Sequence, residues 1–287
     1  MTPYPDNSTP EKLAASVSIT ELKQIAEAAG RQIMTVFAQD FAVETKADNT
    51  PVTQADEAAS AEIVQALQAR FPWPVLSEED ANIAWSERRH WTTYWLVDPL
   101  DGTREFIRGS HDFTVNIALV HQQQTILGLI HAPASGDNWW GGRGLGASAE
   151  PAGQPVRAIR ATALPADTAD WIELGSRTHR SRASALLSEA IGPHQVDGVG
   201  SSLKLCRIAE GSGHLYFRLG PTSEWDTAAG QAILEAAGGQ VLNAYTLEPL
   251  RYNTRTELEN PWFVAACAPD PRWAGPLGQV LDTVNGT

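Results

Sequence analysis

Carboxylates gather at four places along this chain, and at one of them the spacing suits a hard cation. In WLVDPLDGTREF, residues 95–106, an apolar run delivers Asp98, and Asp101 follows three residues later. Two carboxylates with the Leu100 carbonyl between them make a set of oxygen donors that suits Mg²⁺. Gly102 lets the backbone approach a ligand closely, Thr103 offers a hydroxyl, and N–H groups opening a helical turn suit a phosphate. A tight Asp/Gly turn with a helix cap is the plainer account of most DGT triplets. The full strand-DPLDGT-EF context favours a site.

The other three places are weaker on their own. VLSEED, residues 75–80, sets Glu78 behind Val75-Leu76, so a strand end would deliver it, although adjacent acids are usually a solvated loop. PTSEWDTAAGQAILEAAG, residues 221–238, puts Asp226 at the start of a helix with Ile233, Leu234 and Ala237 inward, where helix capping alone would explain the acid. KADNTPVTQAD, residues 46–56, places Thr53 and Asp56 at the opening of another helix, and capping is again the alternative.

Elements must carry these acids to one point. Ser18 and Glu21 fit a capping box ahead of an amphipathic helix over 18–38, with Leu22, Ile25, Ala26, Ala29, Ile33 and Val36 on one face. A second helix runs from about Asp56 to Arg70, with Ile63, Val64 and Leu67 inward. Tyr94 to Val97 reads as a buried strand that Pro99 ends, and Phe113–Val120 with Thr125–Ile130 read as a hairpin around a polar QQQ segment. From about 160 the rhythm becomes strand–helix alternation. Strands fall at Trp171–Leu174, Val196–Val199, His214–Leu219 and Trp262–Ala266, and helices at 180–191, 201–211, 226–237 and 271–284. This favours a βαβ-type second half. The Ala- and Pro-rich stretch 150–168 is the expected boundary. GGRGLG, residues 141–146, follows two tryptophans and precedes no amphipathic helix, so it reads as a turn rather than a dinucleotide site. His111, His121 and His131 are too widely spaced for a helical zinc motif and read as core or edge histidines.

Composition narrows the partners. A net charge of -13 argues against nucleic-acid polymers, whose backbones need basic stripes, but leaves room for a small phosphorylated ligand once cations invert the local field. No apolar run reaches the ~18 residues of a membrane span, and the Pro-rich start reads as a frayed tail without a signal peptide. Cys206 and Cys267 lack metal spacing and read as buried thiols in a reducing cytoplasm.

The four acidic segments together resemble the inositol monophosphatase superfamily, most closely its 3'(2'),5'-bisphosphate nucleotidase branch, from about residue 17 to 270. The resemblance implies an α/β fold, an α+β N-terminal half and an α/β C-terminal half, layered as the αβαβα sandwich of inositol monophosphatases and fructose-1,6-bisphosphatases. Residues 1–16 would be a flexible tail, 17–158 the domain for metal and phosphate, and 159–287 the domain for the rest of the substrate. Carried over, Glu78, Asp98, the Leu100 carbonyl, Asp101 and Asp226 hold two or three Mg²⁺ ions, with Asp98 bridging two. Thr103, linked to Asp56, orients and deprotonates the attacking water, with Glu78 alongside. Glu79 stands behind the ligands, and Asp80 has no motif role.

The branch is read from DGTREF, where inositol monophosphatases typically have DGTTNF, and from GPTSEWDTAAG and KADNTPVTQAD. Its nucleotide contacts map onto Ser176, His179, Gly200 and Lys204, beside Gly102 and Thr103, with Arg218 for a second phosphate. A loop or cap role for His179 and a solvated Lys204 are the alternatives.

The implied reaction converts 3'-phosphoadenosine 5'-phosphate to AMP and phosphate, with 3'-phosphoadenylyl sulfate as a further substrate. That places the chain in sulfur metabolism, as a lithium-sensitive cytoplasmic enzyme and a monomer or homodimer. Monoester hydrolysis demands accelerations up to about 10²¹-fold, beyond the ~10²–10⁴ of one general base, so two cations ~3.5–4 Å apart and direct in-line attack by water are expected. The rival readings are an inositol or broad sugar phosphatase, and a catalytically silent nucleotide- and metal-binding sensor.

Overall fold

A computed structural model describes residues 9–38, 43–45, 51–175 and 181–285 of the chain, with side chains described outside 43–45, 51–53 and 285. The expected tail is corrected at its inner end: Pro10–Ser16 is a helix, α1. Thr9 caps it and Pro10 takes the first position, where its fixed φ and missing N–H cost nothing. Leu13 and Ala14 are buried against the neighbouring helices and sheet. Helix α2, Ile19–Phe37, starts at Ser18, whose hydroxyl accepts the Glu21 N–H at 3.3 Å. Its Leu22, Ile25, Ala26, Ala29 and Ile33 are buried as the helical spacing requires. Strands β1, Val43–Thr45, and β2, Pro51–Thr53, pair antiparallel and lead into α3, Gln54–Arg70.

A seven-stranded sheet follows almost in chain order: β3 Val75–Ser77, β4 Thr93–Asp101, β5 Thr114–His121, β6 Gln124–Ala132, β7 Asp137–Gly142, β8 Gly146–Glu150 and β9 Arg157–Ala158. Only β3 and β4 run parallel. The short helix α4, Trp85–Arg88, lies between them in sequence, and α5, Thr103–Ile107, follows β4. The hairpin β5–β6 closes through Gln122 and Gln123, both at positive φ (49° and 65°), the twist that two-residue hairpins favour. GGRGLG is also a hairpin: Gly142 ends β7 and Gly146 begins β8.

The second sheet has the order β11-β10-β12-β14-β13. Its elements are β10 Ile172–Gly175, α6 Arg182–Ile191, β11 Gln195–Gly198, α7 Leu203–Ala209, β12 Leu215–Arg218, α8 Glu224–Ala236, β13 Gln240–Asn243, β14 Phe263–Ala266 and α9 Pro271–Asn285. The expected βαβ character holds for β11, β10 and β12, which are parallel, but β14 runs antiparallel to both its neighbours. Strand β13 escaped the sequence reading because four residues, Gln-Val-Leu-Asn, carry too short an alternation.

The layers stack as α–β–α–β–α. Helices α1, α2 and α3 cover one face of the first sheet, and α7 with α8 fill the space between the sheets. Helices α6 and α9 cover the outer face of the second sheet. Helix α8 sits directly on the first sheet because that sheet offers glycines: a Cβ at Gly128 would overlap the Ala229 carbonyl, and one at Gly141 would lie 2.9 Å from Ile233 Cα. The middle core draws Tyr94 and Leu96 from one sheet and Phe263 and Ala265 from the other. That close approach brings the N-terminus of α8, and Asp226 with it, to the end of β4.

Candidate active site

Pro99 does not end β4. The ladder to β5 resumes at Asp101, with Asp98 opposite Asn116 and Asp101 opposite Thr114, so β4 holds one extra residue. This bulge accommodates a residue with no N–H to give and bends the strand where its side chains must be re-aimed. Within it the Leu100 N–H donates to Asp98 Oδ1 at 3.1 Å, and the Thr103 hydroxyl donates to the Leu100 carbonyl at 3.2 Å. Gly102, at φ 94°, turns the chain into α5, and a Cβ there would meet the Asp112 carbonyl at 2.9 Å.

Asp98, Asp101 and Asp226 each offer an oxygen within 4.8 Å of the others. Burial pushes Asp98 well above the usual carboxylate range, and Glu78, Asp101, Asp226 and Asp56 push it further. Asp226 is raised by burial and by Asp101 and Glu78, against the Ser223 N–H and Arg218, which lower it. Glu78 leaves the end of β3 as expected, and Asp56 is buried in the first turn of α3. Carboxylates that repel one another this strongly are stable together only with protons or cations among them, and hard oxygen donors fit Mg²⁺. Asp226 also completes a capping box, accepting the Ser223 N–H through Oδ2 at 2.9 Å. Its capping and site roles therefore coexist in one side chain.

Beside the acids lies a cavity of about 170 Å³, whose lining includes Asp101, Asp226, Arg104, Lys204, Tyr216 and Arg218. The reading of Lys204 as a solvated helix residue is corrected. It is buried, donates to the carbonyls of Val199 (3.1 Å) and Ser201 (2.7 Å), and lies over the Tyr216 ring. Burial lowers its pKa to about 8, partly offset by Asp101 and Glu105. Arg218 donates to the Pro221 carbonyl at 3.1 Å. Gly200 packs where a Cβ would come within 2.6 Å of Asp112 Cβ, and its N–H donates to Asp112 Oδ2.

Two residues at the centre went unseen in the sequence. The Ser202 N–H and hydroxyl both bind Asp101 Oδ2, and Asn116 Nδ2 donates to Ser202 Oγ at 2.8 Å. The strand periodicity around Asn116 and the serine pair before Lys204 were the available signals. Ser176 and His179 lie outside the described residues, as does the side chain of Thr53. Glu79 is half-buried and Asp80 exposed. His121 and His131 are buried and bonded to Thr93 and Asn138, whereas His111 is exposed. Cys206 is buried, but Cys267 is only half-buried, because β14 has ended at Ala266.

A five-layer α/β sandwich with a carboxylate cluster at the junction of its two sheets defines a metal-dependent phosphatase. The chain belongs to the inositol monophosphatase family, whose profile matches residues 15–269. That family is Mg²⁺-dependent. Among similar proteins, the 3'(2'),5'-bisphosphate nucleotidase CysQ of Escherichia coli K12 is 42% identical over 248 residues, 85% of this chain and 98% of that protein. The protein of the same name from Haemophilus influenzae is 36% identical, covering 86% of this chain and 91% of its own. The crystal structure of CysQ from Bacteroides thetaiotaomicron superposes with a TM-score of 0.76 at 34% identity, over 87% of this chain and 98% of that one. An IMPase from Thermotoga maritima shares the fold, with a TM-score of 0.77 at 21% identity over 93% and 98% of the two chains. No helix among the described residues is long and apolar enough to cross a membrane.

Proposed function

We propose that this chain is a Mg²⁺-dependent 3'(2'),5'-bisphosphate nucleotidase that takes 3'-phosphoadenosine 5'-phosphate to AMP and phosphate, and accepts 3'-phosphoadenylyl sulfate likewise. The observation that carries the reading is one cavity lined by both kinds of charge. Asp101 and Asp226 line it together with Arg104, Lys204 and Arg218. A substrate with two separated phosphates answers both. One phosphate sits where cations mediate its contact with the acids, and the other meets the basic side chains directly. An inositol monophosphate has no second phosphate for these basic side chains. The names of the relatives support the same choice.

In this reading Glu78, Asp98, Asp101, Asp226 and the Leu100 carbonyl would hold two or three Mg²⁺ ions, with Asp98 the most buried of the acids at the centre of the set. When bound, the ions lower the pKa of water and neutralise the phosphoryl oxygens. Thr103 and Asp56 would orient the attacking water, the Thr103 hydroxyl taking its proton while passing its own to the Asp56 carboxylate, which requires that hydroxyl to rotate from the Leu100 carbonyl. The Gly102 backbone approaches the reacting phosphate. The water oxygen forms a bond to phosphorus as the 3' ester bond breaks in line, and the departing sugar oxygen takes a proton from a second, solvent water. Gly200 shapes the turn that sets Lys204 in the wall, and Ser176 and His179 complete the nucleotide contacts. Residues 17–158 supply most of the metal ligands and 159–287 the nucleotide side, with Asp226 crossing between them on α8. The two free cysteines fit a reducing cytoplasm.

Phosphate release from 3'-phosphoadenosine 5'-phosphate, 3'-AMP and inositol 1-phosphate, each with Mg²⁺ and with EDTA, tests the proposal. The expected order of kcat/KM is bisphosphate nucleotide, then 3'-AMP, then inositol phosphate, with no turnover in EDTA. Preference for inositol phosphate over both nucleotides would overturn it.

A further inference from the structure

Ser202 stands at the start of α7, in the C-terminal half, yet its strongest bonds are to an acid on β4. Its N–H reaches Asp101 Oδ2 at 2.6 Å, and its hydroxyl reaches the same oxygen at 2.5 Å. Asn116 Nδ2 stands 3.4 Å from that oxygen and 2.8 Å from Ser202 Oγ. Ser202 Oγ is also 2.9 Å from the Asp226 main-chain carbonyl, so one side chain joins β4, α7 and α8. A hydroxyl proton serves one acceptor at a time, and the shorter bond goes to Asp101. The residue is buried, so water offers Asp101 no equal substitute. The turn that aims this N–H carries a left-handed residue other than glycine, Ser201 at φ 45°. Such a conformation is unfavourable for a residue with a Cβ and needs surrounding contacts to hold it.

We infer that Ser202 is a positioning residue that ties one oxygen of Asp101 to the protein, leaves the other as a single-oxygen ligand, and so biases the centre toward Mg²⁺ over Ca²⁺. The inference rests on the reading of Asp101 as a metal ligand. Mg²⁺ needs near-octahedral ligands at ~2.0–2.1 Å, which one-oxygen carboxylates provide, whereas Ca²⁺ takes ~6–8 oxygens and accepts carboxylates through both. Two donors on Oδ2 stop Asp101 from turning both oxygens inward. Asp98 and Asp226 follow the same division, each with one oxygen on a backbone N–H, from Leu100 and Ser223. Of these three, only Asp101 has a side-chain donor as well among the described residues, so there a substitution can loosen the hold on the oxygen without touching the ligand.

Calorimetric titration of EDTA-stripped wild type, Ser202→Ala and Ser202→Thr with Mg²⁺ and with Ca²⁺ tests this, alongside the Tm of each metal-free protein. In Ser202→Ala the Mg²⁺ Kd should rise about tenfold, the lower end for a partner behind a metal ligand. The Ca²⁺ Kd should stay level or fall, and Ser202→Thr, which keeps the hydroxyl, should restore the wild-type ratio. With 3'-phosphoadenosine 5'-phosphate at saturating Mg²⁺, KM for the nucleotide should not move. A purely structural role would weaken both cations together and lower Tm; that result, or an unchanged ratio, overturns the inference. Wild type that binds no divalent cation overturns it along with the metal reading. Wild type that binds Mg²⁺ but fails to hydrolyse the nucleotide overturns only the substrate reading, and the cation ratio still decides the role of Ser202.

Discussion

Asp98→Asn should raise the stability of the metal-free protein while it removes turnover. Asp98 is buried among like charges, with Asp101 and Asp226 oxygens within 4.8 Å. At an effective dielectric of about 20, each ionised pair at that distance costs about 3.5 kcal/mol, and Asp98 takes part in two. Proton uptake by the buried acids relieves much of this, so the visible gain is smaller. A gain of about 1 kcal/mol or more raises Tm by roughly 2 °C or more in a chain of this size. Asparagine keeps the shape and still accepts the Leu100 N–H, which Asp98 now takes at 3.1 Å. With Mg²⁺ the sign reverses: wild type gains stability from the ions and the variant gains less. Because partners behind a ligand already cost ~10–100-fold, loss of the ligand charge itself should lower kcat by more than about 100-fold. Thermal melts in EDTA and in Mg²⁺, with phosphate release on the bisphosphate nucleotide, read all three effects. A metal-free variant less stable than wild type would refute the electrostatic argument. Retention of more than a tenth of wild-type kcat at saturating Mg²⁺ would refute the assignment of Asp98 to the ions.

Lys204→Ala should raise KM for 3'-phosphoadenosine 5'-phosphate by the ~1.5–3 kcal/mol of a charged hydrogen bond, and leave 3'-AMP nearly unchanged; equal losses would mean a role in the fold or the metal site. Because burial sets the Lys204 pKa at about 8, its charge is present below that pH and lost as pH rises through it, so KM for the bisphosphate should climb above pH 8. Lys204→Arg should flatten that rise, and a flat wild-type profile counts against phosphate contact. Li⁺ should inhibit turnover far more than Na⁺ or K⁺, and indifference to it would speak against competition at a Mg²⁺ position. Gly128→Ala drives a methyl into the Ala229 carbonyl; overpacking typically costs ~1–3 kcal/mol, and a backbone obstacle puts this at about 3 kcal/mol or more in a denaturant midpoint.

Local sequence determined what depends on neighbours along the chain. Helix α2 was legible because Ser18 and the 3.6-residue spacing from Leu22 to Ile33 act within the helix itself. The hairpin β5–β6 was legible from two apolar runs around a polar turn, and Glu78 from the strand end that delivers it. Wherever a contact joins distant segments, the tertiary structure decided. The β4 bulge exists because β5 pairs on both sides of Pro99, so a proline that reads locally as a stop becomes a bend inside the ladder. Lys204 reads in the sequence as either a nucleotide contact or a solvated helix residue, and it is the Tyr216 ring with the Val199 and Ser201 carbonyls, set by another strand and a left-handed turn, that bury it. Ser202 carries only a weak local mark, the serine pair before Lys204. Its role arises because glycines at 128 and 141 let α8 settle onto the first sheet, closing the space in which residues 101, 202 and 226 share hydrogen bonds. A sequence names the groups that can bind a cation, but which oxygen each leaves free is fixed by donors from elsewhere in the chain.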